Sequence, residues 1–128
     1  MLANGLPRFC RLHLKNDFKR VITGGIKLQY NGLVLWSAPN KKGDVVRFAV
    51  VVSKKLGPAV LRNRTKRLLR EAFRISRIHL VKGTDVIVCP KDSEKINCVQ
   101  AAQDALMTLC RQAHLCKPDP SANPKDVL

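Results

Sequence analysis

The stretch AVLRNRTKRLLREAFR, residues 59–74, sets six arginines and lysines against a single acid, Glu71. Arginines and lysines gathered in such number act chiefly as cations. They supply donors and fixed positive charge, and the planar fork of arginine fits two phosphate oxygens at once. At about 100° per residue, Leu61, Thr65, Leu68, Leu69 and Ala72 fall on one stripe of a helix, and Asn63, Lys66, Arg67, Arg70, Arg74 and Arg77 fall roughly opposite. A basic helix face is often no more than a solvated one. A helix built for solubility, however, interleaves Glu with Lys at i,i+4, whereas this one repels itself. Its chemistry is that of a polyanion binder, with nucleic acid as the first candidate.

Side chains suited to catalysis or metal binding are sparse. Cys110, His114 and Cys116 lie close in sequence, and the i,i+4 spacing of Cys110 and His114 could put two zinc ligands on one helix face. No fourth ligand accompanies them, and Cys110 also falls among the apolar positions of its segment, so a buried thiol beside a surface histidine is the plainer reading. His13 and His79 have no carboxylate or nucleophile at triad spacing, and the nine acids are scattered, which argues against a self-sufficient hydrolytic site. The five cysteines, Cys10, Cys89, Cys98, Cys110 and Cys116, form an odd set without a CxxC pair, as expected of reduced thiols in a cytosol.

The elements that must position the basic stretch belong to a chain of 128 residues with 24 Lys and Arg against 9 Asp and Glu, a formal net charge of +15. Its 45% apolar content suits one compact domain, expected over residues 1–116, and KPDPSANPKDVL, residues 117–128, is expected to be a disordered tail. Ten basic residues lie between Lys54 and Lys82, and a second group, Arg8, Arg11, Lys15, Lys19, Arg20 and Lys27, occupies the first quarter. No apolar run approaches the ~18 residues of a membrane span, and the first residues lack the apolar core of a secretory signal, so a cytoplasmic protein without membrane contact is expected. The apolar stripe of the basic helix also lacks the aromatic anchors of interfacial helices.

A short helix is expected from about Asn16 to Thr23, closed by Gly24-Gly25 and followed by extended chain. GLVLWSA, residues 32–38, and VVRFAVVVS, residues 45–53, are β-branched and aromatic; with PNKKGD between them they predict adjacent antiparallel strands. LGP then leads into a helix from about Pro58 to Ile78, TDVIVCP predicts a buried strand over 84–90, and NCVQAAQDALMTLCRQAH a last amphipathic helix. One basic helix beside a sheet is not a helix-turn-helix, and no C2H2 zinc spacing occurs, so structured RNA, bound through shape and backbone, is favoured over DNA.

The run RFAVVVSKKLGPAVLRNRTKRLLREAFR resembles the signature of the bacterial ribonuclease P protein family: a strand, Ser-Lys-Lys, Gly, Ala-Val, then Arg-Asn-Arg, Lys-Arg and Arg-Glu-x-Phe. RLHLKNDFKRVITGG resembles the first helix of that family, and the likeness covers about Arg11 to Leu115. It implies a single α/β (α+β, two-layer) domain in the order α-β-β-β-α-β-α, with a mixed sheet and a left-handed crossover. It also implies the assisting subunit of an enzyme whose catalytic RNA, with Mg²⁺, removes the 5′ leader of precursor tRNA, with no further protein partner required.

Carried over by position, the resemblance assigns Arg62, Asn63, Arg64, Lys66, Arg67 and Arg70 to the catalytic RNA. It assigns Phe18, Ile22, Val34, Trp36 and Val88 to a cleft for the single-stranded leader. Phe18 and Ile22 are one helical turn apart and Val34 and Trp36 share a strand face, so those four can line one trough. Ile22 stands where the family usually has a second aromatic, leaving apolar contact in place of stacking, and Pro58 stands where a polar residue is common. Lys54 and Lys55 are candidate phosphate contacts. The competing expectation is a ribosomal or ribosome-assembly RNA-binding protein, which would share the charge and size but not the signature.

Overall fold

The structure, a computed structural model, describes residues 15–40 and 46–116. Its elements are α1 (Lys15–Gly24), β1 (Ile26–Tyr30), β2 (Leu33–Pro39), β3 (Val46–Val50), α2 (Ala59–Ser76), β4 (Thr84–Pro90) and α3 (Val99–Gln112), with short 3₁₀ turns at Lys54–Leu56 and Arg77–His79. This is the expected order α-β-β-β-α-β-α. Cys10, His13 and the expected tail, residues 117–128, lie outside the described residues.

The sheet order is β1-β2-β4-β3. β2 and β3 were expected to be adjacent and antiparallel; instead β4 lies between them, antiparallel to β2 and parallel to β3. The physical reason is burial. Every residue of β4 is buried and all but the last of β2 is at least half so, whereas β1 is largely exposed and β3 opens at its C-terminal end. Strands covered on both faces belong in the middle of a sheet. The connection through residues 40–45 is therefore no hairpin, and α2 becomes the crossover between two parallel neighbours. β1 and β2 do form a hairpin, through Asn31 (φ 47°) and Gly32 (φ 80°), the left-handed pair of a type I′ turn.

Register separates two faces. Leu33, Leu35, Phe48, Val86 and Val88 join Leu69, Ala72 and Phe73 of α2 and Ala102, Ala105, Leu106 and Leu109 of α3 in the main core. That core is the expected two-layer arrangement of sheet and helix pair. The Phe48 and Phe73 rings stack with centroids 4.2 Å apart and 9° between planes, fixing α2 over β3. The other face carries α1, whose Val21 is fully buried against Ala38 and Ile87, with Phe18, Trp36 and Ala49 packed around them. Where α1 passes into β1, a Cβ on Gly25 would collide with the carbonyl oxygens of Ser37 and Val21, so the close approach requires glycine.

α3 is capped by Cys98, whose Sγ accepts from the Ala101 N–H at 3.5 Å. It ends before His114, which has φ 60°, while the Leu115 N–H donates to the Cys110 carbonyl at 2.8 Å. His114 is exposed past the helix and Cys110 is fully buried, so the two do not share a helical face and the zinc spacing dissolves. Cys89, Cys98, Cys110 and Cys116 are all free thiols.

Candidate nucleic-acid interface

α2 turns Thr65, Leu69, Ala72, Phe73 and Ser76 into the protein and leaves Asn63, Arg64, Arg67 and Arg70 exposed, with Arg62 and Lys66 half-buried. Pro58 is the residue before the helix, with extended ψ of 162°, so the helix begins one residue later than expected; after Ser76 it tightens into the 3₁₀ turn. Two basic side chains of this face also make structural hydrogen bonds. Arg62 Nε donates to the Gly57 carbonyl at 3.1 Å, bracing the turn into the helix, and Arg64 Nη2 donates to the Asn97 carbonyl at 3.2 Å, tying α2 to the loop before α3. Arg74 is taken by Glu71, with Nε donating to Oε2 at 3.0 Å, and this hydrogen bond holds the Glu71 carboxyl below its ordinary pKa. Among the described residues no carboxylate pairs with Lys66, Arg67 or Arg70. Lys54 and Lys55 stand exposed just before the start of α2 and extend the same positive surface.

On the opposite face, Phe18 and Trp36 belong to the cluster around Val21, and Val34 lies on the same face of β2 as Trp36. Ile22 is 43% exposed on α1, and Val34 is buried. Trp36 is half-buried, and the Lys27 ammonium lies 5.7 Å from its ring centroid. Val88 does not join them. It pairs with Leu35 in the register and is sealed in the main core beneath α2 and α3, because successive strand residues face opposite ways. The β4 residues beside Trp36 and Val34 are Ile87 and Cys89, so the assignment of Val88 to the cleft is one residue out of phase.

An ionic cluster that sequence reasoning did not find fixes α1 on this face. Asp85 is fully buried and accepts from Arg47 Nε at 2.8 Å, Arg47 Nη2 at 2.7 Å, Asn40 Nδ2 at 2.8 Å and Arg20 Nη2. Arg20 Nη1 also donates to the Pro39 carbonyl at 2.6 Å, and Arg47 Nη1 reaches Asp17 Oδ2 at 3.3 Å. The hydrogen bonds to Asp85 hold the Arg47 guanidinium above its ordinary pKa, against the opposing effect of burial. One carboxylate thus links the helix, the end of β2 and two neighbouring strands, and fixes α1 where its Phe18 packs on the same cluster as Trp36.

The model of the family described as Ribonuclease P matches residues 6–114. The chain belongs to the ribonuclease P protein family. The ribonuclease P protein component of Staphylococcus aureus is 36% identical over 90 residues, which are 70% of this chain and 76% of that protein. The solved S. aureus RNase P protein superposes with a TM-score of 0.73 at 30% identity, covering 84% of this chain and 98% of that one. The Thermotoga maritima RNase P protein gives a TM-score of 0.69 at 32% identity, covering 77% and 93%. As a member of the family the chain is a subunit of a ribonuclease, works in tRNA 5′ processing and has an RNA partner. Among the described residues no helix is long and apolar enough to cross a membrane. Nor do three or more His, Cys, Asp or Glu side chains come together there to hold a metal ion.

Proposed function

We propose that this chain is the assisting subunit of a ribonuclease P whose catalytic centre is RNA, and that it presents two surfaces to two RNAs. The α2 face, Asn63, Arg64, Lys66, Arg67 and Arg70 with Arg62 beside it, binds the catalytic RNA, and Lys54 and Lys55 add phosphate contacts. The trough between α1 and the sheet, with Phe18, Ile22 and Trp36 at its walls and floor and Val34 beneath, takes the single-stranded 5′ leader of precursor tRNA. The observation that carries this reading is the placement of the basic face and the aromatic trough on opposite sides of one sheet, which lets the protein hold enzyme RNA and substrate RNA together. The chain's own contribution is positional. Its cations offset phosphate repulsion between the two RNAs, and its trough orients the strand 5′ to the scissile bond. Mg²⁺ belongs mainly to the RNA subunit, and no step is assigned to a protein side chain. Free thiols fit work in the cytosol, and no further protein is needed.

Reconstitution tests this. The protein with its own catalytic RNA and Mg²⁺ is expected to release the leader from precursor tRNA at one bond, and the nuclease-treated protein alone to cleave nothing. Site-specific cleavage by RNA-free protein would overturn the assignment of catalysis to RNA. Recovery of ribosomal RNA, in place of one abundant RNA of another kind, on copurification from its own cells would instead support a ribosomal role.

A further inference from the structure

Lys27 and Trp36 are direct partners across the antiparallel β1·β2 pair, and their side chains rise from the same face, the one that carries α1. The Lys27 ammonium stands over the indole, 5.7 Å from its centroid. β1 is an edge strand, Lys27 is exposed, and among the described residues no carboxylate pairs with it. The indole is therefore the ammonium's one attachment among those residues: a cation held on an aromatic face at the open side of the trough.

A base stacked on Trp36 needs the same space. Stacked rings sit with centroids about 4.5–7 Å apart, the shell the ammonium occupies. A base arriving on that face must displace it, and the flexible four-carbon stem of lysine keeps the displaced charge within reach of the backbone that brings the base. We propose that Lys27 is a specificity residue of the leader trough, exchanging the Trp36 ring for a phosphate flanking the stacked base when single-stranded RNA enters. The inference rests on the trough reading above and adds to it a residue and a mode of recognition. The exchange rewards a strand that supplies base and phosphate together, so a polyanion without an unstacked base leaves Lys27 on the ring. It is indifferent to base identity, because every base has a π-face and every phosphate a charge.

The test uses the enzyme reconstituted with its catalytic RNA, with wild-type protein, Lys27→Met, which keeps the apolar stem, and Lys27→Arg. Binding is measured to precursor tRNA with a leader of several nucleotides and to mature tRNA across a salt series, and emission is followed from Trp36, the one tryptophan of the chain. Lys27→Met is expected to bind precursor severalfold more weakly with a salt slope shallower by about 0.7, to bind mature tRNA as wild type does, and to melt at the wild-type temperature. Lys27→Arg is expected to keep affinity and slope. Unchanged precursor affinity and slope in Lys27→Met, or an equal loss for mature tRNA, would overturn the role of Lys27 while leaving the trough in place. If wild type itself binds both tRNAs alike with no change in Trp36 emission, the trough reading fails and the inference with it.

Discussion

Arg47 and Asp85 are register partners across the parallel β3·β4 pair and meet through two hydrogen bonds, at 2.8 and 2.7 Å. Asp85 has no exposed surface, so its charge is tolerated only because donors surround it. Asp85→Ala strands Arg47 in the interior and is expected to cost about 3–5 kcal/mol in a urea melt. Adding Arg47→Met should recover much of that, since the cation left, Arg20, is partly exposed and keeps Asp17 at 3.6 Å. A loss below 1 kcal/mol for the single variant would mean the cluster is not buried in solution.

Changing Arg64, Arg67 and Arg70 together to Ala removes three exposed cations and one hydrogen bond, Arg64 to the Asn97 carbonyl. The melt should change little, because none of the three packs in the core. Binding to the catalytic RNA should weaken, and the slope of log K against log salt should flatten by up to about 0.7–0.9 per lost contact. An unaltered slope would place that RNA on another surface.

Burial pushes the Cys110 thiol up to about 12, and burial also raises Cys116. Because the folded value of Cys110 exceeds an unfolded thiol's ~8.5, the stability it contributes is whole below about pH 8.5 and is lost as pH rises toward 12. Urea melts of wild type and Cys110→Ala should therefore lie further apart at pH 8 than at about pH 10.5. In alkylation at pH 8, exposed Cys98 should label first among the described thiols, and Cys89 and Cys110 only in denaturant. Early labelling of Cys110 would contradict the packing of α3.

Ser76 Oγ, at the end of α2, is buried and has no hydrogen-bond partner among the described residues. A hydroxyl desolvated without a partner costs free energy, and alanine is also the better helix former. Ser76→Ala is expected to stabilise by about 1 kcal/mol, read as a higher urea midpoint at unchanged m-value. Destabilisation would mean that a water or another group satisfies the hydroxyl.

The helices were legible because their stripes repeat within a few residues of chain. α2 starts and stops close to the bounds its Pro, apolar period and charge pattern give, and β4 follows from the apolar run Val86-Ile87-Val88-Cys89 closed by Pro90. Strand order was not legible, since which strands pair is decided by burial across the whole sheet. The misplacement of Val88 has the same root: one residue of phase moves a strand side chain to the other face. Two signals went unused. Asn31-Gly32 marks the β1·β2 hairpin, and Arg47 in VVRFAVVV with Asp85 in TDVIVCP are opposite charges interrupting apolar strands, which identifies them as candidates for each other. Lys27 carried no signal at all, because a lysine on an edge strand is ordinary until its cross-strand neighbour is known.

The central position of β4 also sets when this protein can fold. Among the described residues β3 pairs with β4 alone, and α1 docks partly on Ile87 and Asp85. Until Pro90 has left the exit tunnel of a translating ribosome, β3 is an unpaired edge and the α2 residues already synthesised have no finished sheet to pack on. At about 5–20 residues per second this interval is seconds long. A strongly cationic helix is thus offered to the most RNA-rich surface in the cell before its own scaffold exists, and release from the ribosome must compete with that attraction.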